Sequence, residues 1–436
     1  MSQAKIMTTT DTNNIYKWLV LASFSLNSIS NIFIFSALTP IWSSVAIYYN
    51  VTDYDLNWFS NMYFISLFTS TFGFNPFILK HFGQSQIFSC ILTAAGLWIL
   101  LISGGNFTMG LLCFGLLGLG ESLYYQVPLH LSKIWFPHEE RALTTFIGQY
   151  SSNIGILFAY IFTFYYFQEV VDENEFKTRY ENIILYNAIF ASFVLIFNLI
   201  TLKRPINQKD SFQIRDPLWL SIKKICTAEE ALLDLLSFSV FIGVGWSYST
   251  LFNIQQYNIG YTAQELFETN IFYQVGGISS ASIFTWKLHS QSQHGLQQSY
   301  DKYMKYIVSI GFWSLAIEIV IFDQVPLWIL EILNFLIGCG FAGYYSILLE
   351  SLQEKHFPAQ ELAIGSVLCG VACVNIFQFQ VRFSVSYYDF RITRILEIWI
   401  SNFLFLNYYA FLLYCCILQN LIQKIRIRSL NISFLQ

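Results

Sequence analysis

One sequence pattern occurs twice in this chain, and each copy lies at the end of an apolar segment. The pattern Gly-x-Gly-x-x-x-Tyr-Tyr occupies Gly118–Tyr125 and again Gly338–Tyr345. Each copy is followed by Phe-Pro-x-x-Glu-x-Ala, at Phe136–Ala142 and at Phe357–Ala363. Because the two copies lie about half the chain length apart, we interpret the protein as a duplication with two equivalent halves.

The composition places these halves in a membrane. Hydrophobic residues make up 55% of the 436 residues, charged residues only 11%, and the mean hydropathy is +0.49. One globular core cannot bury that much apolar surface and still leave a polar exterior, so lipid must cover the remainder. Many apolar stretches also reach the roughly 20 residues that a helix needs to cross a bilayer.

These stretches predict an all-α integral membrane protein with twelve transmembrane helices. The predicted spans are 17–48, 58–79, 86–103, 107–128, 142–167, 183–202, 231–254, 265–286, 304–322, 326–350, 361–381 and 396–421. The longest polar interval separates the sixth span from the seventh. We therefore predict a six-helix bundle at 1–202, a cytosolic linker at 203–230 and a second six-helix bundle at 231–436. Two pseudo-symmetric parallel bundles are the layout of the major facilitator fold.

The distribution of basic residues predicts the orientation, because Lys and Arg near span ends remain in the cytosol. If both termini are cytosolic, all but five of the 23 Lys and Arg residues lie on the cytosolic side; the exceptions are Lys177, Arg179, Arg382, Arg391 and Arg394. The polar Met1–Tyr16 segment shows no cleaved signal peptide. The host membrane, plasma membrane or endomembrane, stays open.

The duplicated motif has a mechanical interpretation at the predicted cytosolic face. Glycines two residues apart allow neighbouring helices to approach closely. Pro137 and Pro358 then end a helix, and Glu139 or Glu140 and Glu361 begin the next one, where the helix dipole favours a carboxylate. The loops serve either as turns and caps or as a cytosolic gate, for which the candidates are Pro137, Glu139, Arg141, Pro358 and Glu361.

Three motifs carry a resemblance to a known family. Asn57–Tyr63 reads Asn-Trp-Phe-Ser-x-x-Tyr, Pro128–Ala142 reads Pro-x-x-x-Ser-x-x-Trp-Phe-Pro-x-Glu-x-Arg-Ala, and Trp246–Asn253 reads Trp-Ser-Tyr-Ser-Thr-Leu-Phe-Asn. Together they resemble the feline leukaemia virus subgroup C receptor family of major facilitator transporters. The resemblance implies a carrier of choline or ethanolamine, of heme, or of pyridoxine with protons.

One loop departs from the superfamily pattern. The usual loop between the second and third spans, Gly-x-x-x-Asp-Arg-x-Gly-Arg, is represented here only by Leu79–Ser85, which reads Leu-Lys-His-Phe-Gly-Gln-Ser. Its acidic residue is missing. The interdomain charge latch that this loop normally supplies is therefore in doubt, and the cytosolic gate must be held closed in another way.

Glu121 is the leading candidate for contact with a transported solute. An acidic residue inside a span is costly unless it faces water or a partner, so it is a functional candidate by default. The equivalent position in the second repeat is Phe341, and a difference between the halves favours a role in binding. The structural alternative is a protonated Glu121 that is hydrogen-bonded within its bundle, to Gln149 or Tyr150.

The remaining candidates would complete a site for a small organic amine. Phe35 and Trp246 match the positions of the family's cage-forming aromatics, and a quaternary ammonium gains about 0.5 to 2 kcal/mol over each ring when desolvated. Gln149, Tyr125 and Tyr345 would supply hydrogen bonds. No metal site, cofactor, nucleic-acid partner or catalytic constellation is expected, so the chain is predicted to be a monomeric transporter and not an enzyme.

Two alternatives remain open at this point. One is a proton-coupled exporter of a vitamin, heme or a drug, although all six histidines fall in predicted cytosolic loops and none is placed to ligate heme iron. The other is a receptor that has kept the carrier fold without transporting.

Among the other polar and thiol groups, Glu318 and Glu331 are interpreted as interfacial, and the eight cysteines as small apolar helix residues.

Overall fold

The computed structural model describes residues 2–168, 172–201, 216–228, 262–293, 300–321, 325–356 and 361–386, together with residues 234, 235, 241, 245 and 359. Of residues 2–14 and 374–386 only the backbone is described. Trp246 and Pro358 lie outside the described residues, as do nearly all of the predicted seventh span and the whole of the twelfth.

The described chain is helical throughout. Before the predicted linker the helices are α1 (Ser2–Ala37), α2 (Trp42–Tyr48), α3 (Asp53–Gly73), α4 (Asn75–Lys80), α5 (Phe82–Ile102), α6 (Phe107–Tyr125), α7 (Pro128–Trp135), α8 (His138–Phe167) and α9 (Glu173–Thr201). After it come α10 (Leu218–Thr227), α11 (Ala263–Gln293), α12 (Tyr300–Ile321), α13 (Leu327–Lys355) and α14 (Glu361–Ser386). We call α1–α9 the N-half and α11–α14 the C-half.

Ten of the twelve predicted spans coincide with long helices in the described residues. The first span is divided into α1 and α2 by a single 3₁₀ turn at Thr39–Ile41, which contains Pro40. The second is divided into α3 and α4 at Phe74, directly before Asn75 and Pro76. By length and composition alone, five described helical segments are apolar enough to cross a membrane: Ile15–Tyr48, Phe82–Ile102, Phe107–Tyr125, Glu173–Thr201 and Leu327–Gln353.

Local sequence explains where several helices begin. Thr52 caps α3 in a capping box, accepting a hydrogen bond from the Asp55 backbone N–H at 3.1 Å while the Asp55 carboxylate accepts one from the Thr52 backbone at 3.4 Å. Asn106 caps α6 through the Met109 N–H at 3.1 Å. The preceding turn uses Gly104 and Gly105, whose φ angles of 55° and 91° suit glycine.

The duplicated glycine pair produces the same two helix crossings in both halves. A Cβ on Gly118 would collide with the backbone carbonyl of Tyr63 on α3, and one on Gly338 would collide with that of Tyr273 on α11. The second glycine of each pair faces the next helix: Gly120 faces α5, and Gly340 meets Gly311 on α12. The repeat therefore specifies close backbone packing of each half's fourth predicted span against its second and third.

Each half packs mainly within itself, and two helix pairs make the most extensive contacts between the halves. In the N-half α1 packs on α8 and α9, and α5 packs on α6 and α9; in the C-half α13 packs on both α11 and α12. Between the halves α3 packs on α14 and α8 on α11. The exact boundaries of the two bundles stay a prediction.

The interpretation of Glu318 as interfacial is wrong. Its side chain on α12 is only 1% exposed, and its carboxylate accepts a hydrogen bond from the Asn334 amide on α13 at 2.9 Å. The Asn334 amide on the neighbouring helix supplies the hydrogen bond that water would give an exposed carboxylate. The sequence alone does not reveal this partner, because the contact arises only when the two helices pack together. Glu331 is half-buried.

Candidate functional site

Glu121 lies on α6 where the N-half meets the C-half. Its side chain is 3% exposed, and its Oε2 atom has no hydrogen-bond partner among the described residues. The carboxyl group interacts electrostatically with Tyr63 on α3, Tyr125 on α6 and Cys369 on α14. None of these described neighbours is cationic. Buried polar atoms in proteins normally have a hydrogen-bond partner. A buried carboxyl oxygen without a described partner, at the boundary between the halves, is therefore a candidate position for ligand binding.

Phe341, the C-half residue equivalent to Glu121, has different neighbours. The Phe341 ring stacks on Phe241 with centroids 4.1 Å apart and an interplanar angle of 22°, and it also lies against Gly245. Phe341 therefore packs onto the described part of the predicted seventh span in its own half. Because Phe341 takes the place of Glu121 in the second repeat, only the N-half copy has an acidic residue at this position.

Phe35 reaches the site through one intermediate ring. Phe35 is half-buried on α1 and packs on Tyr63 with centroids 4.7 Å apart. The Tyr63 hydroxyl donates a hydrogen bond to Asn31 Oδ1 at 3.2 Å. The Asn31 amide in turn donates to Thr93 Oγ1 at 2.9 Å and to the Leu117 carbonyl at 3.0 Å. This buried network fixes the Tyr63 ring beside Phe35.

The tyrosines of the two repeats meet each other. The rings of Tyr125 and Tyr345 have centroids 5.1 Å apart, and the Tyr345 hydroxyl donates to the Tyr125 carbonyl at 3.3 Å. Gln149 on α8 lies within hydrogen-bonding reach of the Tyr345 hydroxyl, and its Oε1 atom has no partner among the described residues. The structure thus brings together Glu121, Tyr125, Gln149 and Tyr345; Trp246 lies outside the described residues.

A polar cluster joins the halves at the predicted cytosolic end of this site. Ser366 Oγ on α14 donates its one hydrogen to Gln126 Oε1 at 2.7 Å and accepts a hydrogen bond from the Asn75 amide nitrogen at 2.9 Å. All three side chains are buried. Gly365 permits this contact, because a Cβ there would lie 2.5 Å from the Gln126 carbonyl oxygen.

A buried ion pair closes the same end. Lys133 on α7 binds Glu361 at the first residue of α14, and their side chains are 17% and 5% exposed. This pair and the Ser366 cluster link the halves at the end where the usual acidic latch residue is missing.

The other predicted gating residues have local roles in the described structure. Pro137 is the N-cap residue of α8, and Arg141 Nε donates to the Phe136 carbonyl at 3.2 Å. The Glu139 side chain and Pro358 lie outside what is described. The neighbouring Glu140 forms an ion pair with Lys17 on α1 at 2.5 Å. Assignment of these residues to gating stays a prediction.

Neutralising one member of the buried ion pair should loosen this end of the protein. We expect Glu361→Gln to lower the midpoint of thermal unfolding in detergent, because removing one partner leaves Lys133 buried and unpaired, at a cost of about 3 to 5 kcal/mol. The matched control is Glu175→Gln, which breaks the more exposed Glu175–Arg179 pair and should cost at most about 1 kcal/mol. Equal midpoints for the two variants would contradict this role of Glu361.

Sequence reasoning missed several residues that complete the site. Tyr63 packs on Phe35, Cys369 lies 3.4 Å from Thr71 across the boundary between the halves, and Gln126 and Ser366 hold the halves together. Tyr63 had a usable signal, because it ends the Asn-Trp-Phe-Ser-x-x-Tyr motif and has a counterpart in Tyr273. The α14 residues had none, since their proximity to α3 and α6 arises only from packing between the halves.

Two packed helical halves, with five described helical segments long and apolar enough to cross a membrane, are the features of a multi-pass membrane protein. The sequence profile of the Major Facilitator Superfamily matches residues 24–379. The chain belongs to this superfamily, and the prediction of an all-α major facilitator fold is confirmed.

Two solved structures illustrate the similarity in fold. The E. coli fucose:proton symporter FucP is 14% identical over 86% of this chain and 93% of its own, with a TM-score of 0.60. A D-xylose-proton symporter is 11% identical over 85% of this chain and 90% of its own, with a TM-score of 0.62. No curated protein sequence matches the chain. These comparisons indicate a transporter of small solutes, not an enzyme.

Proposed function

We propose that this protein transports a small organic cation, an amine or quaternary ammonium of the choline and ethanolamine type, by alternating access. The observation that carries the proposal is the buried Glu121 carboxyl group, which has an unpartnered oxygen and no cationic neighbour among the described residues. A solute with one positive charge would supply the missing partner. An amine would do so through a charge-assisted hydrogen bond, which is roughly twice as strong as a neutral one, and a quaternary ammonium, which has no N–H, through the attraction of opposite charges.

Basic groups near the site support this choice of charge. Lys133 and Lys17 are each engaged by a carboxylate, Glu361 and Glu140 respectively. An anionic solute beside Glu121 would therefore meet a like charge without a described compensating cation. A buried like-charge contact is unfavourable, so an organic anion is the least suitable cargo.

Aromatic and polar groups would determine how the solute lies. Phe35 packs behind Tyr63, and Trp246 of the family-like Trp246–Asn253 run is the second proposed ring. Gln149, Tyr125 and Tyr345 would bind a hydroxyl group on the solute. The resemblance to the feline leukaemia virus subgroup C receptor family supports the choice of choline and ethanolamine as first candidates.

Contacts between the halves at both ends support alternating access. The predicted cytosolic end has the Ser366 cluster and the Lys133–Glu361 pair. At the other end, the Phe164 ring on α8 stacks on Phe267 of α11, with centroids 3.9 Å apart and an interplanar angle of 5°. Exposure of the central site to one side requires separation of one set of contacts while the other stays closed.

A proton-coupled exporter and a non-transporting receptor are the two competing functions. A proton-coupled carrier would move solute in response to an imposed pH gradient in proteoliposomes. A receptor would bind a ligand without moving it. No described contact favours either competitor over the proposed carrier.

A binding panel tests the proposal. Purified full-length protein is screened by thermal shift against choline, ethanolamine, pyridoxine, hemin, L-fucose and D-xylose. We expect choline or ethanolamine to raise the unfolding midpoint, since a ligand that binds only the folded state stabilises it. Stabilisation by a sugar, pyridoxine or hemin, with no response to either amine, would contradict the proposed cargo.

A further inference from the structure

Two cysteines lie on the C-half side of the boundary at Glu121. Cys369 and Cys373 are four residues apart on α14 and so share one face of that helix. Both are buried. Cys369 Sγ lies 3.4 Å from Thr71 Oγ1 on α3, which places this face against the N-half.

The same two thiols border the candidate site. Ser366, three residues before Cys369 on α14, is hydrogen-bonded to Gln126, the residue after Tyr125 on the N-half. The thiols therefore follow Ser366 along α14 where Tyr125 and Glu121 precede Gln126 along α6. The unpartnered Oε2 atom of Glu121, on a side chain that is only 3% exposed, is an independent sign that a ligand belongs here. The described groups around the ligand position are thus acidic and phenolic on the N-half, and phenolic and thiol on the C-half.

We propose that Cys369 and Cys373 form the C-half wall of the solute site and select the apolar part of the solute, while Glu121 binds its charged end. This inference rests on the proposed function. A thiol is a small, polarisable group and only a weak hydrogen-bond donor. It therefore suits methyl or methylene groups better than hydroxyl groups.

Other cysteines provide internal controls, because their contacts stay within one half. Cys339 Sγ on α13 donates to the Gly276 carbonyl on α11 at 3.2 Å. Cys90 Sγ on α5 lies 3.7 Å from the Tyr124 hydroxyl on α6. A solute between the halves should leave the reactivity of both unchanged.

The first test measures alkylation at each cysteine. Full-length protein in lipid nanodiscs is treated with N-ethylmaleimide, with and without saturating choline, and the modification of each cysteine is followed by mass spectrometry. We expect choline to slow alkylation of Cys369 and Cys373 at least fivefold and to leave Cys339 and Cys90 within twofold. Equal slowing at all four positions would overturn the inference, because it would report general stabilisation.

The second test uses binding and does not depend on thiol reactivity. We expect Cys369→Ser, which replaces the thiol by a more polar hydroxyl of similar size, to bind choline more than threefold more weakly than wild type, and Cys369→Leu, which enlarges the side chain, to bind it at least tenfold more weakly. Each variant is checked for folding by its thermal midpoint, with Cys339→Leu as the matched control. Choline affinity within twofold of wild type for a folded Cys369→Leu overturns the inference.

The experiments distinguish failure of the proposed function from failure of the inference about the thiols alone. If wild-type protein binds no amine in the panel, the proposed function fails, and the inference about the thiols fails with it. If wild type binds choline but Cys369 is neither protected by choline nor sensitive to enlargement, only the inference about the thiols fails.

Discussion

Glu121→Gln should reduce uptake of choline or ethanolamine into proteoliposomes about ten- to a hundredfold. Glutamine keeps the size and the hydrogen-bonding capacity of the side chain but removes the charge that faces the solute. The attraction between opposite unit charges about 4 Å apart is about 1 kcal/mol in water and about 4 kcal/mol at an effective dielectric constant of about 20, and each 1.4 kcal/mol corresponds to a factor of ten. The measurement is the initial rate of radiolabelled uptake at matched amounts of folded protein.

Glu318, a second buried acid, is the control that separates the effect of removing charge at Glu121 from the effect of removing charge elsewhere in the bundles. Glu318 is equally buried but belongs to a hydrogen bond with Asn334 inside the C-half. We expect Glu318→Gln to change stability more than the affinity for the solute. Unchanged uptake by Glu121→Gln would remove Glu121 from the mechanism.

Gly118→Ala should prevent accumulation of folded protein. The added methyl group would collide with the Tyr63 backbone carbonyl, and a carbonyl in a helix cannot turn aside as a flexible side chain does. Overpacking of a tight interior costs about 1 to 3 kcal/mol or more, which is a large part of the total stability of a folded protein. Fluorescence-detected size exclusion of a tagged protein measures the loss.

The duplication supplies both a repeat of this test and a control. Gly338→Ala should have the same effect, since its Cβ would meet the Tyr273 carbonyl in the equivalent crossing. Gly73→Ala should be tolerated, because a Cβ at Gly73 meets no atom within 4 Å. A well-behaved monodisperse peak for Gly118→Ala would contradict the account of the repeat.

The fold could be predicted from sequence because its signals are local and repeated. The Gly118 and Gly338 pairs mark equivalent crossings, and apolar length alone indicates ten of the helices now described. Breaks inside predicted spans were missed at Pro40 and Pro76, because a proline at a helix start and a proline inside a span look alike in an apolar stretch. Glu318 was misjudged for a different reason: its partner Asn334 lies on the next helix.

The candidate site was only partly predictable. Glu121 stood out because a buried acid is costly in a span, and the repeat pairs it with Phe341. Tyr125 and Tyr345 were chosen from the motif, and they meet across the halves. Cys369 was interpreted as an apolar helix residue because its position opposite Thr71 depends on how α14 docks on α3, which no local pattern encodes.

The central claim is that Glu121 binds the positive charge of the solute, and a direct comparison of two ligands tests it. Choline and its uncharged isostere 3,3-dimethyl-1-butanol have almost the same shape, so their affinities differ mainly through charge. Isothermal titration of wild type and Glu121→Gln with both ligands gives a four-member cycle. We predict that wild type prefers choline at least tenfold and that Glu121→Gln loses this preference. An equal preference for choline in both proteins would contradict the claim.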